Sequence, residues 1–343
     1  IQSDKEKKHE FLVIDPSENP PASHYAKHIQ SEYDDINTLE KVSKECDVAT
    51  IDFENVCVKS MKEIEKYIPV RPCPYALEIC QDRLKEKNLF RNLDIKTTAF
   101  FEINTLEDLT KKVRDKKSYI LKSRRFGYDG KNQYHIKPHT KIMTDLINQE
   151  CILEEVVNFD AEVSLICVKS VDDSVMYFPL IQNTHKNGIL SLSKFPSNYT
   201  HLQSDAEFIG AKLIESMKYV GVLVIEFFVK ANQLIANEMA PRVHNSGHWT
   251  IEGSSLSQFL AHINAITGES FNSKIDFKNS AMFNILSAFP DNKKLNMISK
   301  DFNIYVHDYH KTERENRKLG HITHICDDKN KMDYNIKKIL EIL

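Results

Sequence analysis

The sequence predicts an α/β protein of two or three domains, with a parallel sheet near its N-terminus and antiparallel hairpins beyond it. The chain has 343 residues, whereas a single domain usually has ~100–200. Its N-terminal part is predicted to contain a strand, a helix and another strand in succession, which is typical of a parallel sheet with crossover helices. Long apolar segments joined by short polar turns follow, and these indicate hairpins.

The N-terminal elements follow from apolar spacing and from the residues that end them. Glu10–Asp15 is predicted to be a short strand, and a loop dense in Pro, Ser and Asn comes after it. Residues 47–56 (DVATIDFENV) are predicted to form the next strand, with Asp52 and Glu54 on one face. The predicted helices are residues 36–46, 60–68 and 74–93. A cluster of prolines separates the last two helices and marks the end of a first domain, residues 1–75: Pro69, Pro72 and Pro74.

The central part of the chain is predicted to be rich in antiparallel strands. The predicted strands are residues 97–103, 118–123, 151–157, 161–170 and 174–182. The predicted helices are residues 105–115, 140–149, 204–220 and 254–267. Residues 221–240 are predicted to form a further hairpin, and the tail from Ser273 to mix short strands with polar turns.

Composition excludes several classes of partner. The formal net charge is −3, so no global positive field attracts nucleic acid. The longest apolar run, residues 220–228 (VGVLVIEFF), is about half of the ~20 residues that span a bilayer and contains an acid. Seven cysteines without CxxC spacing are typical of a reducing compartment. We therefore expect a cytoplasmic protein without membrane or nucleic-acid partners.

Two acidic residues in the hairpin of residues 221–240 indicate a metal site. If its turn, residues 230–233 (KANQ), is centred near Asn232, Glu226 lies directly opposite Glu238. Like charges at that spacing are destabilising, so the pair needs a divalent cation, a shared proton or a slipped register. Oxygen ligands suit Mg²⁺ bridging phosphates. The alternative is a different register with one exposed Glu on each strand.

Two further segments have the composition of a nucleotide site. Lys122 ends a strand before a basic loop with Gly127 and Gly130, which suits phosphate binding, although an ordinary surface turn is the favoured explanation when the loop is taken alone. The loop lacks the GxxxxGK[ST] pattern, which excludes a P-loop. Glu154, Glu155 and Glu162 surround an apolar hinge that has the composition to face a nucleoside; the alternative there is a solvated strand end.

The segment Ala236–Trp249 (ANEMAPRVHNSGHW) concentrates acid, Arg, His, Asn and Ser in one turn-rich stretch. Its two histidines and the other spaced His pairs lack the helical i, i+4 placement or the Cys partners of a zinc site. No GxSxG pattern or Ser/His/Asp set indicates hydrolysis. The segment is therefore either an irregular loop or the floor of an active site.

These motifs, taken together, resemble a known enzyme family. The stretches LKSRRFGYDGKNQ, LEEVVNFDAEVSL, FPLIQNTHKNGIL, NEMAPRVHNSGHWTIEG and HKTERENRKLGH occur in that order. The chain resembles the ATP-grasp ligases and, more narrowly, the N5-carboxyaminoimidazole ribonucleotide synthetases, essentially from end to end. The resemblance implies an α/β (α+β) ATP-grasp domain at residues 76–270, with subdomains at about 90–153 and 154–270. It also implies an N-terminal Rossmann-like pre-ATP-grasp domain, residues 1–75, and a small β-rich C-terminal domain, residues 271–343.

The resemblance implies a nucleotide site between the two subdomains, with Mg²⁺ (or Mn²⁺) as the cofactor and ATP as a co-substrate. The metal ligands it implies are Glu226 and Glu238. The implied ATP-binding residues are Arg83, Lys122, Gly127, Tyr128, Asp129, Gly130, Lys131, Gln133, Glu154, Glu155, Val156, Val157, Glu162, His185, Asn237 and Glu238. The adenine would contact the Glu154–Val157 hinge, and the ribose would contact Glu162.

The implied reaction is ATP-dependent carboxylation of 5-aminoimidazole ribonucleotide by bicarbonate through carboxyphosphate, in purine biosynthesis. Positioning and charge neutralisation dominate such phosphoryl transfers. The implied catalytic residues are Arg242, His244, Tyr128, Lys131 and Glu54. The implied substrate-binding residues are Arg242, His244, Asn245 and Ser246, with Lys311, Arg317 and Lys318 on the ribonucleotide phosphate. The family also implies a homodimer and a functional link to N5-carboxyaminoimidazole ribonucleotide mutase.

The chain departs from the family pattern in a few places. The Gly-rich strand and loop that the family has at its N-terminus does not precede Ile1, and we expect an omitted upstream segment. The resemblance implies a lid, in which Gly127–Gln133 close over the ATP phosphates. Phe126 and Asn132 stand where the family usually has glycines of this lid, and Asp52 replaces a more usual Glu. Two other functions stay open: a sibling ATP-grasp enzyme such as formate-dependent glycinamide ribonucleotide transformylase, and a catalytically inactive nucleotide-binding module.

Overall fold

The computed structural model describes residues 1–6, 8–114, 116–125, 127, 133–138, 150–271 and 274–343. Within them, the strands are β1 (Leu12–Asp15), β2 (Lys27–Gln30), β3 (Phe100–Ile103), β4 (Tyr119–Ser123), β5 (Gln133–Ile136), β6 (Cys151–Glu155), β7 (Ala161–Lys169), β8 (Val175–Tyr177), β9 (Ile181–Lys186), β10 (Ile189–Phe195), β11 (Gly221–Lys230), β12 (Gln233–Ala240), β13 (Ser280–Leu286), β14 (Ile304–Asp308) and β15 (Lys318–Ile325). The helices are α1 (Ile36–Ser43), α2 (Val58–Ile64), α3 (Pro74–Cys80), α4 (Arg83–Asn92), α5 (Leu106–Lys112), α6 (Gln203–Met217), α7 (Thr250–Gly253), α8 (Gln258–Thr267), α9 (Asn292–Asp301) and α10 (Met332–Ile342).

The N-terminal strands are parallel, as predicted, but the second one was misplaced. β1 pairs with β2, whereas residues 47–56 form only an isolated bridge between Ala49 and Val70. The prediction of a strand at residues 47–56 is therefore wrong. The carbonyls of Glu54 and Val56 accept hydrogen bonds from the Gln81 side chain, both at 2.7 Å. A side chain thus satisfies backbone groups that a neighbouring strand would otherwise bind.

The segment predicted as one helix at residues 74–93 is two helices, α3 and α4. Asp82 lies between them and accepts hydrogen bonds from the backbone N–H groups of Leu84 and Lys85, which caps α4. Its carboxylate also pairs with Arg124 at 2.7 Å. This ion pair joins the start of α4 to the end of β4, where the predicted nucleotide loop begins.

A four-stranded antiparallel sheet contains the predicted nucleotide strands, in the order β3, β6, β4, β5. α5 packs on it and begins with a capping box, in which Thr105 and Asp108 bind each other's backbone N–H groups. The predicted helix at residues 140–149 lies outside the described residues. The sheet places Lys122 beside Gln133 on one neighbouring strand and Ile152 on the other.

The largest sheet in the described part of the chain is antiparallel, with the order β12, β11, β7, β9, β10, β13, β15, β14, and β8 pairing with β7. The predicted strand at residues 174–182 is thus two short ones, β8 and the start of β9. Alternate residues of β11 enter two different cores, since strand side chains alternate between faces. Leu223, Ile225 and Phe227 pack in one core with residues of α6. Val222 and Val224 pack in the other with residues of α8.

The C-terminal segment continues the same sheet, because β13 pairs with β10 as well as with β15. It also contains the helices α9 and α10, which the sequence prediction did not include. Ile298 of α9 and Ile339 of α10 are fully buried in one cluster with Phe283 of β13. Among the described residues, no helix is both long and apolar enough to cross a membrane.

Candidate active site

The two acidic residues of the β11–β12 hairpin face each other. Glu226 is the direct partner of Glu238, which confirms the predicted pairing. It lies on the same face of β11 as Val222 and Val224, which pack with residues of α8. Burial, and then the charge of Glu238, raise the pKa of Glu226 to about 7. A divalent cation between the two carboxylates would relieve this repulsion, so the donor set fits Mg²⁺.

The turn of this hairpin is not centred quite where the sequence analysis placed it. Ala231 and Asn232 both have positive φ angles, 49° and 57°, as in a two-residue hairpin turn. Lys230 therefore pairs with Gln233, and the pairing continues to Phe227 and Ala236. A β-bulge at Asn237 then shifts the register by one residue. The bulge brings Glu238, rather than Asn237, opposite Glu226.

A buried carboxylate lies between two lysines in the predicted nucleotide site. Glu154, 3% exposed, is 3.1 Å from Nζ of Lys122 and 3.7 Å from Nζ of Lys87. Burial by itself raises the pKa of Glu154, but the charges of Lys122 and Lys87 outweigh it and lower the pKa to about 2. The Glu154 carboxylate therefore stays charged and paired with both lysines, and it holds the amine of Lys122 at the end of β4.

We expect Glu154→Gln to lower the free energy of unfolding by about 2 kcal/mol at neutral pH, because two lysines lose their buried counter-charge. The folded-state pKa of Glu154 lies below its ordinary value of 4.5. The stabilisation is therefore fully present above about pH 4.5 and is lost as the pH falls toward 2. Urea unfolding at several pH values measures this, with exposed Glu107→Gln as the control. A variant as stable as the wild type would contradict it.

Arg83 joins α4 to the start of the predicted lid. Its guanidinium donates to the carbonyl of Ser123 at 3.1 Å and to the carbonyl of Gly127 at 2.9 Å. A Cβ atom at Gly127 would lie only 2.5 Å from Nη1 of Arg83, so the guanidinium packs against a backbone that has no side chain. Of the other predicted lid residues, Gln133 begins β5, whereas four lie outside the described residues: Tyr128, Asp129, Gly130 and Lys131.

The hinge residues after Glu154 differ in exposure. Glu155 pairs with Lys117 at 2.5 Å, and its N–H donates to the carbonyl of Ala99. Val156 is 37% exposed, and Val157 is half-buried. These side chains present a partly apolar edge beside the lysine cluster, and adenine contact by the hinge stays a prediction.

Glu162 of β7 and His185 of β9 form one unit. Nδ1 of His185 is 2.8 Å from Oε2 of Glu162. Burial opposes the charged imidazole, but the hydrogen bond with Glu162 and the charges of Glu226 and Glu238 raise the pKa of His185 above its ordinary value. The structure thus brings His185 close to the predicted metal pair.

The His185–Glu162 pair makes stability depend on pH. The folded-state pKa of His185 lies above 6.5, so its contribution is full below about pH 6.5 and is lost as the pH rises through the folded-state pKa. We expect Glu162→Gln to lower the free energy of unfolding by about 1 kcal/mol near pH 6 and by less near pH 8.5. Urea unfolding without metal and nucleotide measures this. An equal loss at both pH values would contradict it.

Arg242 is the first of the predicted substrate-binding residues in the segment 242–246, which we call the acceptor floor. Its side chain faces the N-terminal part of the chain. Its Nη2 is 2.8 Å from Oε1 of Glu54, and its Nη1 donates to the carbonyl of Val243 at 2.9 Å. Nε of Arg242 is buried and has no hydrogen-bond partner among the described residues. Burial raises the pKa of Glu54, with Arg242 opposing this shift. Two segments far apart in sequence therefore meet at this ion pair.

His244 links the floor to the carboxylate pair. Its Nε2 is 3.7 Å from Oε1 of Glu226. Burial, and then the charges of Arg242 and Lys318, hold the pKa of His244 well below its ordinary value, so the ring is neutral at pH 7. The backbone N–H of Ser246 donates to Nδ1, which leaves the proton of the neutral ring on Nε2. His244 therefore presents a hydrogen-bond donor toward Glu226 and the site.

The neighbours of His244 hold the floor in place. The Ser246 side chain is fully buried. Its hydroxyl lies within hydrogen-bond distance of Nδ1 of His244, at 2.9 Å, and accepts a hydrogen bond from the hydroxyl of Ser164, also at 2.9 Å. Asn245 donates to Asn284 of β13 at 3.0 Å and accepts from it at 2.5 Å. Ser246, although predicted to bind substrate, is thus buried and contacts His244 instead.

The predicted phosphate-binding residues lie at the start of β15 and in the loop before it. The charge of Lys318 lowers the pKa values of Glu226 and His244, so Lys318 lies close to both. Lys311 lies 5.2 Å from the ring centre of Tyr309, and Arg317 donates to the carbonyl of Thr312 at 3.2 Å. Of the three cations, Lys318 is the one whose charge acts on the carboxylate pair.

Sequence analysis missed two residues that contact this site, Glu86 and Lys87 of α4. Both are buried, at 3% and 1% exposure. Lys87 donates to the carbonyl of Asn237 at 2.7 Å, and Glu86 accepts from the N–H of Met239 at 2.6 Å. Residues 82–88 (DRLKEKN) have the charge pattern of a solvated helix face, so no signal in the sequence distinguished them.

Three protein-family descriptions match the chain. "ATP-grasp domain" matches residues 88–259, and "Ribonucleotide synthetase preATP-grasp domain" matches residues 1–81. "Phosphoribosylaminoimidazole carboxylase C-terminal domain" matches residues 280–335. The three matches follow one another along nearly the whole chain.

Similar proteins cover nearly the full length. The N5-carboxyaminoimidazole ribonucleotide synthase of Pseudomonas aeruginosa is 35% identical over 96% of this chain and 91% of its own length. The crystal structure of the Staphylococcus aureus N5-carboxyaminoimidazole synthetase with ADP has a TM-score of 0.92 and is 32% identical, covering 98% of this chain and 92% of that one. The Thermus thermophilus enzyme has a TM-score of 0.88 and is 34% identical, covering the same shares of the two chains.

Proposed function

Because the chain belongs to the N5-carboxyaminoimidazole ribonucleotide synthase family of ATP-grasp ligases, we propose that it carboxylates 5-aminoimidazole ribonucleotide with ATP and bicarbonate, in purine biosynthesis. Bicarbonate attacks the γ-phosphorus of ATP, and ADP leaves. The exocyclic amine of the ribonucleotide then takes the carboxyl group from carboxyphosphate as phosphate leaves and the amine loses a proton. The product is the N5-carbamate.

The observation that carries this proposal is the meeting of two sets of groups at Glu226. On one side are its partner Glu238 and His185, whose pKa both carboxylates raise. On the other side is His244, at 3.7 Å, in the floor that begins at Arg242. A nucleotide and an acceptor bound on these two sides would meet where phosphoryl transfer needs them aligned.

Each group has a role that its chemistry supports. Lys122 and Arg83 bind the ATP phosphates, with Glu154 holding the Lys122 amine. Glu226 and Glu238 would hold Mg²⁺, which when bound neutralises phosphate charge. Arg242 and the Nε2–H of His244 donate to bicarbonate and to the charge that develops on it.

The remaining contacts belong to the ribonucleotide and to the lid. Lys311, Arg317 and Lys318 bind the ribonucleotide phosphate through charge-assisted hydrogen bonds. Tyr128 and Lys131 reach in from the lid. We further propose a homodimer in the cytoplasm whose product passes to a mutase that moves the carboxyl group.

Phosphate release with ATP tests the proposal against a sibling ligase. We expect release to require bicarbonate and 5-aminoimidazole ribonucleotide together, with the N5-carbamate trapped as labelled product from ¹⁴C-bicarbonate. Release with formate and glycinamide ribonucleotide instead would establish the alternative transformylase activity. No release with either pair would leave a nucleotide-binding module and overturn the proposed reaction.

A further inference from the structure

The β-bulge at Asn237 decides which face of β12 carries Glu238. From the turn to Phe227 and Ala236, paired residues follow one register, in which Glu226 would oppose Asn237 and Ile225 would oppose Glu238. Ile225 packs in the apolar core under α6. Without the bulge, the Glu238 carboxylate would enter that core, because a one-residue slip moves every following side chain to the other face. With it, Met239 enters the core instead.

Side chains of α4 bind the backbone on both sides of the bulge. Nζ of Lys87 donates to the carbonyl of Asn237, the bulged residue, at 2.7 Å. Oε1 of Glu86 accepts from the N–H of Met239 at 2.6 Å. Glu238, the predicted metal ligand, lies between these two anchored peptide groups.

The segment after α4 completes this contact at the end of the sheet, where β12 is the terminal strand. Oγ1 of Thr97 donates to the carbonyl of Ala236 at 2.7 Å and lies 3.2 Å from Nζ of Lys87. The N–H of Ala236 donates to the carbonyl of Lys96 at 2.8 Å. The backbone N–H groups of β12 can only donate and its carbonyls can only accept, so a strand slipped by one residue would present the wrong groups to Glu86 and Lys87.

We propose that Glu86 and Lys87 are positioning residues that hold the bulge at Asn237 and thereby keep Glu238 opposite Glu226. This inference deepens the proposed function and rests on it where the metal is concerned. Among the described residues, Glu86 hydrogen-bonds the backbone of β12, and Lys87 contacts the same strand, Thr97 and Glu154. Their buried hydrogen-bonding groups specify a register that apolar packing alone would not distinguish.

Glu86 supplies the cleaner test, since Gln keeps an acceptor for Met239 and Ala removes it. We expect Glu86→Ala to weaken Mn²⁺ binding in the presence of ADP about 10–100-fold, measured by electron paramagnetic resonance of free Mn²⁺, while ADP binding without metal changes little. Glu86→Gln should stay within about threefold of the wild type. Lys85→Met is the matched control, because Lys85 lies on the same helix but pairs with Glu78.

Crystal structures of Glu86→Ala and Thr97→Val give a second measurement that does not depend on metal. Thr97→Val removes one anchoring hydroxyl without leaving a buried charge, and it replaces Glu86→Ala if that variant does not fold. We expect a shifted bulge and a Glu238 carboxylate displaced from Glu226. An intact bulge with unchanged Mn²⁺ binding would overturn the inference. A wild type that binds no Mn²⁺ with ADP would instead overturn the proposed metal site, and the crystal structures would still decide the bulge.

Discussion

Glu238→Gln is expected to lower kcat for ribonucleotide-dependent phosphate release on the order of 10³-fold, the largest effect of any single change at this site. Gln is nearly the same size and keeps one oxygen, but it lacks the charge that holds a divalent cation against phosphate. The loss should appear in kcat and in the Mg²⁺ concentration needed for half-maximal rate. Phosphate release at varied Mg²⁺ measures both.

The same substitution should leave the fold intact. Glu238 is exposed, and its charge is one of the causes that raise the pKa of Glu226. Removing that charge relieves the repulsion, so we expect a free energy of unfolding equal to or above that of the wild type in the absence of metal. Glu215→Gln, at an exposed position on α6, is the matched control. Near-normal turnover in Glu238→Gln would exclude the metal assignment.

Arg242→Ala is expected to lower kcat/KM for the ribonucleotide by about 10²–10³-fold while leaving ADP affinity within about twofold. Arg242 pairs with Glu54 in the proposed acceptor site, whereas Lys122 and Arg83 belong to the proposed nucleotide site. The substitution removes a guanidinium that we propose donates to the developing carboxyl anion. Phosphate release at varied bicarbonate and ribonucleotide, together with ADP titration, separates the two sides.

The fold should tolerate Arg242→Ala better than most losses of an ion pair. Burial already raises the pKa of Glu54, and Arg242 acts against that rise. Once Arg242 is absent, we expect Glu54 to take up a proton at a higher pH than before instead of remaining buried as an anion. Arg114→Ala, at an exposed position, is the control. An equal loss of ADP affinity would count against the acceptor-site role of Arg242.

Local patterns predicted most elements of the central region correctly. The apolar residues 220–228 read as a buried strand, and the structure places them between α6 and α8. The failures lie where side chains from distant segments bind the backbone. Residues 47–56 have the composition of a strand, yet Gln81 takes the carbonyls that a strand would pair. Nothing within residues 47–56 specifies that contact.

The pairing of Glu226 with Glu238 depends both on local sequence, through the turn, and on contacts from a distant segment, through the bulge. The sequence analysis reached the correct pair from a turn centred near Asn232. The observed turn is centred between Ala231 and Asn232, and the bulge at Asn237 then shifts the register by the one residue that brings Glu238 opposite Glu226. Turn residues are read from local sequence, because positive φ angles restrict which residues fit. A bulge depends on contacts made by another element.

The sequence by itself determined the chemistry available at this site: two carboxylates on one hairpin, a lysine at a strand end, and a floor of Arg, His and Asn. Only the tertiary structure decided how they meet. It paired Arg242 with Glu54, placed Glu154 between Lys122 and Lys87, and anchored the bulge from α4. The physical reason is the distance along the chain over which each effect acts. Turn preferences depend on a few neighbouring residues, whereas buried charges and backbone groups find their partners in segments that only the fold brings into contact with them.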